Sequence, residues 1–303
     1  MIYDKMEDCF NTLKDKVSYA LDHSDLESIY TTLASIQGHT IVTGLGGSSI
    51  VAHFLAKVLR EKNHMIATFV TNRDILYMDL GTYENIIVVS YSSGNIGVDI
   101  CVDNHLKKYL FTGRYRDGFE NMVYGMEKEV SYVSISATLV PLCILFMYYQ
   151  RDRGLLEAVL SEDVSTLSNS DLYEVMSGYE TSTASMMLES CMIEGGLAAL
   201  VMHDKYNFCH GRINLSKLHQ SDLIVYKGTT EIEALYEEHL YKYYNQVIEL
   251  PYKYDDLVVN DFYLTYLSLQ LVHKIALNKQ IDISDMQEVE DNDIFYLFKG
   301  KLI

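Results

Sequence analysis

Short runs of β-branched and other apolar residues alternate along this chain with stretches whose apolar residues recur every three or four positions, the periods of buried strands and amphipathic helices. The first 35 residues read as helices, with Phe10, Leu13, Val17 and Leu21, then Leu26, Ile29, Tyr30 and Leu33, on repeating faces. Strands are predicted at His39–Thr43, Met65–Thr71, Asn85–Ser90, Lys108–Thr112 and Val130–Ser134. Ile50, Phe54, Leu55, Val58 and Leu59 mark a helix between the first two, and Leu139–Tyr149 another after the fifth. Beyond a polar connection, Gln150–Ser170, strands are expected at Leu172–Met176, Leu197–Met202, Leu223–Tyr226 and Gln246–Leu250. Ser182–Glu194, Thr230–Tyr243 and Asp261–Leu277 read as helices. Short apolar strands separated by helical spans predict parallel sheets covered on both faces. The expectation is an α/β chain of two three-layer domains, residues 1–155 and 156–303.

Composition narrows the classes of function. At 303 residues, 49% hydrophobic and 22% charged, the chain has material for two full cores. Its formal charge of −18 disfavours nucleic acid and anionic membranes as partners, since no basic patch offsets it. No apolar stretch reaches the roughly 18 residues of a membrane span, and the start has no apolar signal segment. The five cysteines are scattered without a Cys-x-x-Cys pair, which argues against a disulfide framework or structural zinc and for the cytoplasm. None of the ten histidines forms an i, i+4 pair, so neither metal nor cofactor is expected.

The candidate chemistry lies where strands end. After the first strand comes Gly44-Leu45-Gly46-Gly47-Ser48-Ser49, opening a helix. Glycine lets an anion approach the main chain, and a helix N-terminus offers free N–H groups. The turn lacks the Gly-Lys-Ser/Thr of a nucleotide-binding loop, and Ser49 stands where a dinucleotide fingerprint has its third glycine. After the third strand, Ser90-Tyr91-Ser92-Ser93-Gly94-Asn95 supplies a second loop of hydroxyls and glycine. Ligands of such sheets sit at the carboxyl ends of strands, so the two loops together predict a phosphate cradle. Ser134 and Thr138, in a third hydroxyl cluster, either cap the following helix or join the cradle.

These three segments resemble the phosphosugar-binding loops of the sugar isomerase (SIS) domain family. The resemblance implies flavodoxin-like parallel sheets, frequently two domains per chain, and a sugar phosphate held by Gly46, Gly47, Ser48, Ser49, Ser92, Ser93 and Asn95. The second half offers only Ser177-Gly178-Tyr179 at the matching place, so phosphate binding is expected in the first half alone.

A further stretch, Glu189 to Glu194 followed by Phe208-Cys209-His210-Gly211-Arg212, resembles a second signature of the two-domain members. It implies Glu194 as the acid/base moving a proton between C1 and C2 of an open-chain sugar. His210 would assist ring opening, often across a homodimer interface. Aldose–ketose isomerisation needs just such a carboxylate and a second proton donor. Arg212 replaces the family's usual proline and can pair with phosphate or a sugar-acid carboxylate. Tyr91 and Ile96 fall where the family has hydroxyls, which favours an alternative, a phosphosugar sensor without catalysis. Lys299 and Lys301 lie in a tail that brings a lysine to the site in some relatives. The expected function is a sugar-phosphate isomerase or deglycase.

Overall fold

The structure, a computed structural model, describes residues 4–94, 98–99, 101, 105–126, 131, 133–165, 168–217, 220–228 and 231–285. Asn95, Ile96, Lys299 and Lys301 lie outside these residues. The chain divides into two compact units, one built on Asn11–Gln150 and the other on Arg151–Ser284 with the N-terminal segment ending at Phe10.

The first unit is a five-stranded parallel sheet of order β2-β1-β3-β4-β5. Its strands are β1 (Thr40–Gly44), β2 (Ala67–Phe69), β3 (Asn85–Val89), β4 (Lys107–Thr112) and β5 (Glu120–Val123). Every residue of β1 and β3 is buried, as β-branched runs in the middle of a covered parallel sheet must be. Helices α2 (Leu13–His23) and α4 (Gly47–Asn63) pack on α5 (Ile135–Gln150), while α3 (Leu26–Ser35) lies near β5. Helix α5 is buried on nearly all sides, which suits a sequence apolar all round.

The expected fifth strand is displaced. Residues 131, 133 and 134 form no strand; Glu120–Val123 takes that place at the sheet edge. Only Met122 of its four residues is buried, so the segment carries little apolar signal. The third hydroxyl cluster instead leads directly into α5, whose first turns contain Ser136 and Thr138.

The second unit has a four-stranded parallel sheet of order β7-β6-β8-β9. The strands are β6 (Leu172–Ser177), β7 (Ala199–Asp204), β8 (Asp222–Tyr226) and β9 (Val247–Leu250). Helix α6 (Arg153–Val159) occupies part of the segment expected to be a bare connection. Helix α7 (Ser182–Glu194) packs along α9 (Leu257–Lys279), and α8 (Glu231–His239) precedes β9. Helix α1 (Asp4–Asn11) groups with this unit through Phe10, which stacks on His273 with ring centroids 3.9 Å apart. Two parallel α/β sheets are the fold class expected from the sequence.

Candidate functional site

The carboxyl ends of β1 and β3 lie side by side, because Gly44 pairs with Val89 in the parallel ladder. The glycine loop and the serine loop therefore leave adjacent strands. In the first loop Gly46 has φ +58° and ψ −135°, a combination for which glycine is suited, and it is the residue before α4. Ser48 N–H donates to Leu45 O (3.2 Å) and Ser49 N–H to Gly46 O (2.8 Å). The Ser49 hydroxyl also donates to Gly46 O (2.7 Å), so its proton is spent within the turn. Ser48 is the hydroxyl of this loop left for a ligand.

Gly47 brings in the third segment. A Cβ there would overlap Thr138 Oγ1 and lie 3.4 Å from Ser134 Cβ. The N-terminal turn of α4 and the start of α5 thus meet where only a hydrogen fits. Ser134 and Thr138, ambiguous in the sequence, stand beside the glycine loop.

The second loop is fixed by the end of β4. Tyr91 O accepts from Gly113 N (3.2 Å) and Thr112 Oγ1 (3.3 Å). The Tyr91 ring packs on Gly113, where a Cβ would come within 2.6 Å of Cε2. The Tyr91 ring therefore serves as a wedge against the end of β4. Ser93 adopts φ +54°, and Ser92 is exposed. Two polar atoms next to the loops are buried without a hydrogen-bond partner among the described residues: Ser90 Oγ, just past β3, and Asn72 Nδ2, just past β2. Asn72 Oδ1 accepts from Thr43 Oγ1 at 2.5 Å, which ties it to the end of β1. Buried polar atoms left open in this way mark a place for water or ligand. Asn72 escaped sequence reading because one asparagine after a strand has no distinguishing pattern.

At the matching place in the second unit the anion position is already filled. Asp261 of α9, fully buried, accepts from Thr183 N (3.3 Å) and Ala184 N (3.1 Å), the first amides of α7. A carboxylate from within the chain thus sits at the positive end of α7. Beside it Lys205, 1% exposed, reaches Glu180 Oε1 and Glu233 Oε1, both at 2.9 Å. Burial opposes its charge, but the two carboxylates outweigh burial and raise its pKa. Lower in the sheet, Glu174 accepts from His203 Nε2 (2.9 Å), Ser221 Oγ (2.9 Å) and Tyr244 OH (3.0 Å). Burial pushes the Glu174 carboxyl up, but these donors prevail and hold it below its ordinary value.

Glu194 ends α7 and is exposed, accepting from Ser190 Oγ at 2.7 Å. His210 is exposed on the turn after β7. Helix α7 leads into the amino end of β7, whereas His210 follows its carboxyl end. Six residues of strand, rising about 3.3 Å each, lie between the end of α7 and the turn that carries His210. Arg212 directs Nη1 to the carbonyl oxygen of Met202 on the sheet-edge strand β7 (3.2 Å). Among the described residues, no group of three or more His, Cys, Asp or Glu side chains is placed to hold a metal ion, and no helix is long and apolar enough to cross a membrane.

No family model matches the sequence, and no curated protein sequence matches it. Solved structures do match. A phosphosugar isomerase candidate from Clostridium difficile 630 superposes with a TM-score of 0.70 at 13% identity, covering 98% of this chain and 99% of its own. Glucosamine-6-phosphate deaminase from Thermotoga maritima gives 0.66 at 12% identity, over 90% and 96% of the two chains. Tagatose-6-phosphate ketose/aldose isomerase from Escherichia coli gives 0.65 at 12% identity, over 93% and 95%. The chain therefore shares, over nearly its whole length, the fold of these solved structures, with two parallel α/β sheets.

Proposed function

We propose that the protein binds a sugar phosphate at the loops after β1 and β3 and isomerises it by moving a proton between C1 and C2. One observation carries this reading: the glycine loop, which meets Ser134 and Thr138 at Gly47, and the serine loop leave adjacent strands, next to which Ser90 Oγ and Asn72 Nδ2 are buried without a hydrogen-bond partner among the described residues. Backbone N–H groups at the start of α4, with Ser48, Ser92, Ser93, Ser134 and Thr138, supply donors suited to a phosphate dianion. Asn95 belongs to the same loop in sequence. The structural relatives named for sugar-phosphate chemistry support the same substrate class.

In the proposed reaction the Glu194 carboxylate removes the proton from C2 of the open-chain aldose, giving an enediolate; the hydroxyl proton passes from O2 to O1, and Glu194 returns its proton to C1 to give the ketose. His210 donates to the ring oxygen as the sugar opens. If the substrate carries nitrogen at C2 or C1, the intermediate is an enolamine and the same groups serve a deglycase. The route asks for no metal. Glu194 precedes β7 and His210 follows it, and the proposal includes a homodimer in which each site takes one residue from each subunit.

The competing reading is a phosphosugar sensor without turnover, favoured by the Tyr91 ring turned onto Gly113. Thermal unfolding against inorganic phosphate, hexose phosphates, aminosugar phosphates and unphosphorylated sugars tests binding, because a ligand of the native state raises Tm by mass action. A shift with a sugar phosphate that Ser48→Ala removes supports the cradle; no shift with any phosphate rejects it. Glu194→Gln should abolish interconversion of the bound sugar with the Tm shift retained. Turnover unchanged in that variant removes Glu194 from the mechanism.

A further inference from the structure

The serine loop after β3 is held in a conformation that its own sequence does not favour. Ser93 has φ +54°, in the left-handed region that costs a residue with a side chain of order 1 kcal/mol or more. Its backbone N–H makes only a long bond to Ser90 O (3.4 Å). What holds it comes from another part of the sheet. The turn between β4 and β5 carries Arg116, whose Nη1 donates to the Ser93 carbonyl oxygen at 2.7 Å and whose Nη2 donates to Asp99 Oδ1 at 2.7 Å. One guanidinium thus grips the loop at two points six residues apart in sequence. The turn presenting it is itself fixed, since Asn121 Oδ1 accepts from Arg116 N (3.0 Å) and Asn121 Nδ2 donates to Arg116 O (2.8 Å).

We propose that Arg116 is a positioning residue for the phosphosugar loop, clamping Ser93 in its left-handed conformation so that Ser92 and Ser93 face the ligand. This rests on the sugar-phosphate reading of the cradle. The fork of the guanidinium is what the arrangement uses: two parallel donors reach a carbonyl and a carboxylate at once, which an ammonium on a flexible stem does poorly.

The test compares wild type, Arg116→Ala, Arg116→Lys and Asp99→Asn by two readouts. The first is hydrogen exchange of the 90–94 amides in ligand-free protein. Faster exchange in Arg116→Ala, with the rest of the first unit unchanged, is expected from loss of the clamp; unchanged exchange overturns it whether or not any sugar phosphate binds. The second is binding of glucosamine 6-phosphate, tagatose 6-phosphate and inorganic phosphate. Tenfold or greater loss of affinity in Arg116→Ala, and a smaller loss in Arg116→Lys, are expected for those probes that bind wild type. Where a probe is turned over, KM should rise with kcat nearly constant. Affinity equal to wild type in Arg116→Ala overturns the positioning role. Wild type binding none of the three, with exchange still faster in Arg116→Ala, overturns the cradle reading and the ligand-positioning role and leaves only the clamp. Should Arg116→Ala fail to fold, Arg116→Lys and Asp99→Asn decide by the same two readouts.

Discussion

Gly47 is the residue on which the cradle depends most directly. Thr138 Oγ1 occupies the space of a Cβ, so Gly47→Ala must push α5 away from the start of α4 or turn Thr138 out. Overpacking of this kind costs about 1–3 kcal/mol. The variant should melt lower and lose its response to any sugar phosphate that shifts wild type; an alanine variant with wild-type Tm and response would show that the contact yields freely. Lys205 poses the opposite problem, a buried cation that cannot be removed without stranding Glu233, itself 6% exposed. Lys205→Met should destabilise by about 3–5 kcal/mol, the cost of breaking a buried pair from one side. Equilibrium denaturation by urea measures it, and a double variant with Glu233→Gln should recover part of the loss.

At the level of elements, the two sheets use one architecture and treat the same helix end differently. Helix α4 follows β1 through glycines and leaves its N-terminal turn for a ligand, whereas α7 follows β6 and has its first amides bound by Asp261. The carboxylate serves as an internal cap, and Asp261→Ala should lower stability by roughly 1–2 kcal/mol, the usual worth of a cap. The loss should appear as a lower urea midpoint. The lack of a second glycine loop was legible in Ser177-Gly178-Tyr179, but the group that replaces the ligand was not. Asp261 lies far along the chain on a helix whose sequence reads as ordinary core. Similarly, β5 was missed because an edge strand with one buried residue has no period to detect, while the all-buried runs of β1, β3 and β8 announced themselves.

For the whole molecule, pH response follows from Glu174. Its carboxyl titrates below the ordinary 4.5 in the folded protein. The folded state therefore binds fewer protons than the unfolded chain near that value, and Glu174 contributes stability that is present above about pH 4.5 and lost as pH falls through its folded value. Urea midpoints should decline on acidification below this point, less steeply in Glu174→Gln; equal slopes would assign the acid sensitivity to other carboxylates. The proposed homodimer is tested through Glu194 and His210. Glu194→Gln and His210→Ala chains, each inactive alone, should regain about a quarter of wild-type activity when mixed and refolded as dimers. In half of the dimers, one of the two sites then receives both native residues. No recovery would exclude a site shared in this way.

The sequence by itself determined most of the strands and helices, the parallel sheets and the two loops where a phosphate is proposed to bind. Those features depend on local periodicity, β-branched runs and glycine-hydroxyl turns, all written within a few neighbouring residues. Only the tertiary structure decided which distant groups meet at the ends of these strands and helices. Thr138 against Gly47, Asn72 on Thr43, Arg116 on Ser93 and Asp261 on the amides of α7 are contacts between segments that fold together across the sheet. Each is made by a residue type common anywhere in a chain, and its role arises from the partner that packing brings to it.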